Sequence, residues 1–365
     1  MSETGIHFFL ADIREYEIEA ESLHQKAKSG NCDALWAFKW EHPRYRGKAI
    51  EEVRPTDLTL DDAQCVTAHK YAFNTWEELK AFAHTIREDA SLQQFEEAVD
   101  WVVMGELNSL SALLDKNSEL VRLRSTRRHH ATLLHYIAAN GVEQYRQRTP
   151  PTAVEIAKLL LNCGAEVDAL GDMYDVKCTT MSLLLSSCHP ANAGLQVALA
   201  ETLLDYGAAM IGPGEKWKSS VMTALTFGYL SAAQALVRRG APIEDISAAA
   251  GVGLLAETKQ LYPAASALER QSALALAAQL GQTEIVAFLL EQGEDPNRFN
   301  PHGMHDHATP LHHAAGAGHL NVVRLLVERG ARLDLCDKIY SSTPLGWAEH
   351  CGQPEVAAYL RRRGE

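Results

Sequence analysis

Between residues 309 and 331 the chain sets a short run of small and apolar residues before a second, helix-period run. The segment reads Thr309-Pro-Leu-His-His-Ala-Ala-Gly-Ala-Gly-His-Leu-Asn-Val-Val-Arg-Leu-Leu-Val-Glu-Arg-Gly-Ala331. Thr309 is placed to cap a first helix with its hydroxyl, and Pro310 fits the first helical turn. Small Ala314 and Ala315 allow close helix approach, and Val322, Val323, Leu325 and Leu326 give a second helix one apolar face. Gly330 is expected to end that helix with a positive φ. The pattern recurs from Thr343 to Gly364, and Thr309 and Thr343 are 34 residues apart. Further copies run from Ser272 to Gly293 and from Thr132 to Gly141, the latter continuing after an insertion from Val154 to Ala165, with weaker ones ending at Ala208 and Ala241. A single helix pair of this kind cannot bury its own face, so neighbours must stack into one continuous core.

The Thr-Pro-Leu-His-x-Ala-Ala…Gly-His…Val-Val-x-Leu-Leu-x-x-Gly-Ala string near 309–331 closely resembles the ankyrin repeat family. The resemblance covers about residues 130–365, with 95–129 as a degenerate first repeat. It implies an all-α solenoid of about seven to eight helix-hairpin repeats, residues 95–365, preceded by an N-terminal helical module, residues 1–94. Three departures stand out. Residues 142–153 and 187–196 each lengthen a repeat between its helices. The 53 positions from Gly240 to Gly293 suit neither one repeat nor two, and 246–263 reads as a shortened helix pair. The last repeat ends in Arg361-Arg-Arg-Gly-Glu365, a polar finish suited to a terminal repeat.

Residues 1–94 lack the repeat and read as helices over roughly 11–29, 31–42, 59–72 and 75–88, with cap signals around Asp57–Asp62 and at Asn74-Thr. The Pro55 segment reads as a turn. The stretch looks similar to a helical module that precedes ankyrin arrays in some bacterial proteins, which implies a bacterial source. Its expected task is to cover the open face of the first repeat, with a separate docking module as the alternative.

The net charge of −13, from 34 Lys+Arg against 47 Asp+Glu, disfavours a general polyanion binder, so nucleic acid is not an expected partner. Apolar runs such as Leu183–Leu185 are far too short to span a bilayer, and the first residues show no secretory pattern. The seven cysteines are odd in number and form no Cys-x-x-Cys, which favours a reducing, cytoplasmic setting without a disulfide framework.

The family resemblance implies a concave groove that holds a protein partner. Its variable positions fall here on Tyr136, Leu183, Thr223, Leu276, His313 and Trp347, and three residues later on Ala139, Ser186, Thr226, Gln279, Gly316 and His350. Tyr136, His313, Trp347 and His350 would make an aromatic hot spot, although an indole such as Trp347 also suits packing inside the array. Four expected fingers each carry one aromatic near the tip: Tyr174, Trp217, Phe299 and Tyr340. His135 and His312 occupy the family's structural histidine position. The finger Asn300-Pro-His-Gly-Met-His-Asp-His307 brings His302, His305 and His307 close in sequence, with His313 nearby, a low-ranking candidate for metal or small-ligand binding. The basic cluster Arg122–His130 reads as a solvated turn or as a docking point for an acidic partner.

No Gly-x-Ser-x-Gly, His-Glu-x-x-His or phosphate-cradling Gly-x-x-x-x-Gly-Lys string occurs. His350 and Cys351, as helix neighbours, point about 100° apart and do not face each other. The sequence thus predicts a non-catalytic scaffold that uses no cofactor and no membrane. The rival is a metal- or ligand-binding protein, with a catalytic form as its variant, centred on His302, His305, His307 and His313.

Overall fold

The computed structural model describes residues 12–46, 48–212, 219–243 and 245–364. The chain divides into two compact units, Met1–Lys216 and Trp217–Glu365.

The first unit opens with four helices: α1 (Ile13–Lys28), α2 (Cys32–Glu41), α3 (Leu60–Lys70) and α4 (Trp76–Thr85). Each starts where a short polar side chain caps free N–H groups: Asp12, Asn31, Thr59 and Thr75. At α3 the cap is reciprocal, because Thr59 Oγ1 accepts from Asp62 N and Asp62 Oδ2 accepts from Thr59 N. Two small cores result. One gathers Ala27, Phe38, Tyr45 and Leu58; the other gathers Tyr16, Phe73, Phe82 and Ile86.

Repeat-like pairs follow: α5 (Ala90–Met104) with α6 (Leu107–Lys116), then a 3-10 turn over Leu133–Ala138 with α7 (Ala153–Asn162). A hairpin of β1 (Gly171–Met173) and β2 (Val176–Cys178) forms the next finger, and α8 (Thr180–Leu184), α9 (Cys188–Asn192) and α10 (Gln196–Asp205) complete the unit. The lengthened segments expected at 142–153 and 187–196 carry a short 3-10 turn, Gln144–Arg146, and α9.

The second unit is a succession of helix pairs: α11 (Ser220–Thr226) and α12 (Leu230–Arg238), α13 (Ile246–Val252) and α14 (Leu255–Leu261), α15 (Ala267–Gln279) and α16 (Thr283–Glu291), α17 (Pro310–Gly316) and α18 (Leu320–Glu328), α19 (Pro344–His350) and α20 (Pro354–Gly364). First helices stack α13–α15–α17–α19, and second helices stack α16–α18–α20. The short pair expected near 246–263 is α13 and α14, seven residues each. One core runs through the stack, from Ile246 through Leu289 and Leu311 to Leu360. Gly330 has φ 90° as its helix-ending role requires.

Thr309 differs from expectation. Its hydroxyl and its N–H both face His312 Nδ1, at 2.7 and 3.2 Å, so the imidazole, not a helical N–H, is its partner. His312 Nε2 then lies 3.2 Å from Ser342 O in the following finger. His135 repeats this with Thr132 and Cys178 O. An imidazole that accepts at Nδ1 carries its proton at Nε2, so each of these histidines ties a first helix to the next finger.

Candidate partner-binding surfaces

In the second unit the finger before α19 is built around one buried carboxylate. Asp337, 2% exposed, accepts from the N–H groups of Ile339 (2.9 Å), Tyr340 (2.6 Å) and Ser342 (3.1 Å) and from the Trp347 indole (3.0 Å). Those donors hold its carboxyl below the usual range even though burial alone would raise it. With its backbone fixed this way, the finger turns Ile339 and Tyr340 outward, 63% and 72% exposed. Two adjacent large apolar side chains in water on a braced loop lower no folding free energy.

Trp347 sits behind this tip, partly buried, with its ring 5.3–5.8 Å from the imidazoles of His307, His312 and His313. It is therefore a strut as well as a candidate contact. His350, on the same helix, is exposed. Phe299 in the preceding finger is partly buried and covered by the Lys338 ammonium at 4.3 Å, so it packs between fingers and does not present a free face.

Two sequence candidates are core residues. Tyr136 is fully buried, and His313 is 8% exposed with its pKa pushed down to about 3 by burial and by neighbouring His305, His307 and His312. The reason is register. First helices are short and packed on both sides, so the residue after the repeat motif points between helices. Leu183, Thr223 and Leu276 are buried in the same way. The position three residues later, one helical turn on, is the open one: Ser186, Thr226 and Gln279 are part-exposed and His350 is exposed, whereas Ala139 is buried. Trp217 lies outside the described residues.

Three of the four candidate histidines draw together, with the His305 ring 5.2 Å from that of His313 and 6.0 Å from that of His307, while His302 stands apart. His302 pairs with Asp306 at 3.0 Å, His305 Nε2 lies 3.3 Å from Thr226 O, and His307 packs against Tyr340 and Trp347. Among the described residues no group of three or more His, Cys, Asp or Glu is placed to hold a metal ion.

The basic cluster of the first unit is split: Arg122, Arg124, Arg128 and His130 are exposed, and its other two members are not. Arg127 is fully buried, and His129 is 2% exposed. Arg127 forms ion pairs with Glu96 and with Glu143 (2.7 Å), and donates from Nε to Tyr71 O at 3.1 Å. Its guanidinium lies 5.4 and 4.7 Å from the rings of Phe73 and Phe82. Arg146, from the lengthened segment, joins Glu96 (2.6 Å), Asp100 (2.6 Å) and Glu143 (3.3 Å). Against the effect of burial, both guanidiniums lower the carboxyl of Glu96 and hold that of Glu143 well below the normal carboxylate range. His129 accepts Ala131 N–H at Nδ1 (3.1 Å), which places its proton at Nε2, 3.5 Å from Glu143. Three carboxylates and two guanidiniums thus lock α5, the finger at 125–131 and the 142–153 segment together.

Of that network Glu143, with His129 beside it, lines an open groove of about 1680 Å³. α2 lines one side, with Trp36 and Trp40, and the β1–β2 hairpin lines the other, with Tyr174 at its tip. Tyr174 is half exposed, and its hydroxyl bonds to Asn140. The sequence reading did not single out Trp36 or Trp40, although their i,i+4 spacing next to Ala34 and Phe38 marks a second face on α2.

Stacked helix pairs joined by fingers define a repeat protein of the solenoid class. Comparison with known proteins gives the family. The family model for ankyrin repeats (three copies) matches residues 222–335 and 274–365. Cyclin-dependent kinase 4 inhibitor B of Rattus norvegicus is 36% identical over 116 residues, 24% of this chain and 88% of that protein. Ankyrin repeat and SAM domain-containing protein 6 of Mus musculus is 37% identical over 97 residues, 26% of this chain but only 10% of that protein. The crystal structure of the human ASB11 ankyrin repeat domain is similar at 19% identity, with a TM-score of 0.38, over 72% of this chain and 96% of that one. The chain belongs to the ankyrin repeat family. No helix among the described residues is long and apolar enough to cross a membrane.

Proposed function

We propose that this protein is a non-catalytic scaffold that binds a protein partner through the finger and groove face of its last repeats, with Ile339 and Tyr340 as primary contacts and Trp347 and His350 beside them. One observation carries the reading: Asp337 spends four hydrogen bonds on a loop whose product is an exposed Ile-Tyr pair. Aromatic and branched apolar side chains on a rigid support are the usual anchors of protein interfaces. The rat relative is by name an inhibitor of a kinase, a macromolecular target. A cytosolic setting suits the sequence's unpaired cysteines, all seven of which are free thiols here. A bacterial source rests on the resemblance of residues 1–94 alone.

We also infer that residues 1–94 cap the repeats that begin at 95. Support comes from Arg127 Nε–H and Arg128 N–H, which donate to Tyr71 O and Ala72 O, and from the Phe73 and Phe82 rings over the Arg127 guanidinium.

The test is Ile339→Ala/Tyr340→Ala. Partner affinity should fall at least ~30-fold, about 2 kcal/mol, while the thermal midpoint stays put, because both side chains are exposed. Trp347→Ala is a poorer probe, since it also removes the indole that braces Asp337. Unchanged affinity in the double variant would remove the finger from the interface.

A further inference from the structure

α2 has two faces. Ala34 and Phe38 point into the core shared with α1 and α3. Asp33, Trp36, Ala37, Trp40 and Glu41, at i, i+3, i+4, i+7 and i+8, form a second stripe that lines the groove of the first unit. Trp36 and Trp40 are 42% and 62% exposed and stack with centroids 6.1 Å apart at 18°. The buried face already anchors the helix, so packing gives no reason for two indoles in water.

The groove's size and charge say what covers them. At about 1680 Å³ it exceeds the roughly 300–1,000 Å³ of small-molecule pockets, which points to a polypeptide segment. The indole faces already sit against a cation: the Lys39 ammonium lies 4.9 Å from the Trp40 ring and 5.8 Å from that of Trp36. The stripe ends in Asp33, one turn before Trp36, and in Glu41, which directly follows Trp40. Glu19 and Asp172, also in the groove, are neutralised by Lys70 and Lys177. Asp33, Glu41 and Asp175 have no ion-pair partner among the described residues, and neither do Arg46, Arg128 and the Lys39 over the indoles. Across the groove, Tyr174 and Asp175 hold φ 56° and 62°. Left-handed backbone at two successive non-glycine residues is strained, and here it makes the tight turn that presents the hairpin tip.

We infer that this groove is a second docking surface, for a partner segment that carries a Lys or Arg side chain flanked by apolar residues, with the cation seated on the Asp33–Trp36–Trp40–Glu41 stripe. The site lies in the first unit and does not depend on the Ile339–Tyr340 finger.

The test uses the full chain and two short fluorescein-labelled peptides, one alternating arginine with leucine and alanine, the other with glutamate in place of every arginine. Fluorescence anisotropy reads binding, and circular dichroism checks the fold. The arginine peptide should bind saturably, and the glutamate peptide at least ~10-fold more weakly. Trp36→Ala/Trp40→Ala and Asp33→Lys/Glu41→Lys should each weaken the arginine peptide ~10-fold or more with unchanged helical signal, because these side chains are not in the core. Ile339→Ala/Tyr340→Ala should leave this affinity alone, which separates failure here from failure of the finger. No binding of the arginine peptide, equal binding of both peptides, or wild-type affinity in either stripe variant would overturn the inference.

Discussion

Replacing Arg146 with Met removes the hub of a buried charge network while keeping much of the side chain's volume. Arg146 donates from Nε (3.0 Å) and Nη2 (2.6 Å) to Asp100 Oδ1 and from Nη1 to Glu96 Oε2 (2.6 Å) and Glu143 Oε1 (3.3 Å). Without it, three carboxylates at 0–3% exposure face one guanidinium, Arg127. Losing one partner of a buried ion pair costs about 3–5 kcal/mol, chiefly because the remaining charge is stranded away from water. Arg146→Lys keeps the charge but loses the fork and should fall in between. Asp100→Asn added to Arg146→Met should recover part of the loss, since it removes one stranded charge. Urea unfolding followed by tryptophan fluorescence is the assay. Four of the six tryptophans, at 36, 40, 76 and 101, lie in the first unit, so the signal is weighted to the unit that carries the network. A loss below ~1 kcal/mol for Arg146→Met, the size of an ordinary surface change, would refute the argument that these pairs lock α5 to the 142–153 segment.

Other outcomes follow from single features. Asp337→Ala should loosen residues 338–342, read as faster amide hydrogen exchange there, because three backbone N–H groups and the Trp347 indole lose their acceptor; unchanged exchange contradicts the bracing role. His313 and His135 are held to about 3 and about 4, mainly by burial, so below pH 6.5 the unfolded chain takes protons that the native chain refuses. Stability should therefore be flat above about pH 7 and fall as pH drops, by about 2–3 kcal/mol per histidine at pH 4.5; a thermal midpoint that stays constant from pH 7 to 4.5 counts against it. Gly281→Ala should destabilise more than Gly293→Ala: both have positive φ, but a Cβ at 281 would lie 2.8–3.1 Å from the His319 ring, whereas at 293 nothing lies within 4 Å. Equal melting of the two variants would show that the His319 contact yields freely.

The fold was largely readable because the repeat fixes both period and packing: once Thr309-Pro-Leu-His recurs at Thr343, stacked hairpins are the only way to bury Val322, Leu326, Val356 and Leu360 together. The four N-terminal helices announced themselves through caps such as Thr59 and Thr75. What stayed hidden depended on contacts distant in sequence. Arg127 reads as one cation in a basic run, and nothing local says that Glu96, 31 residues back, and Glu143, 16 on, will surround it. Groove registration failed for a similar reason. Whether Tyr136 or the position three residues on faces outward depends on how closely the neighbouring helix packs, which a single repeat does not encode. The finger tip at Tyr340 was visible as an aromatic among turn residues, but the Asp337 brace that gives it meaning was not.

The account's central claim is that the last finger meets a partner protein. Its most direct test places a photo-crosslinking amino acid at Tyr340, and in a parallel sample at Arg361 on α20, which pairs with Glu349 on α19, inside the native cell. One discrete adduct at 340, weakened by Ile339→Ala and absent at 361, is the predicted result. No adduct at 340, or the same adducts from both positions, would contradict it.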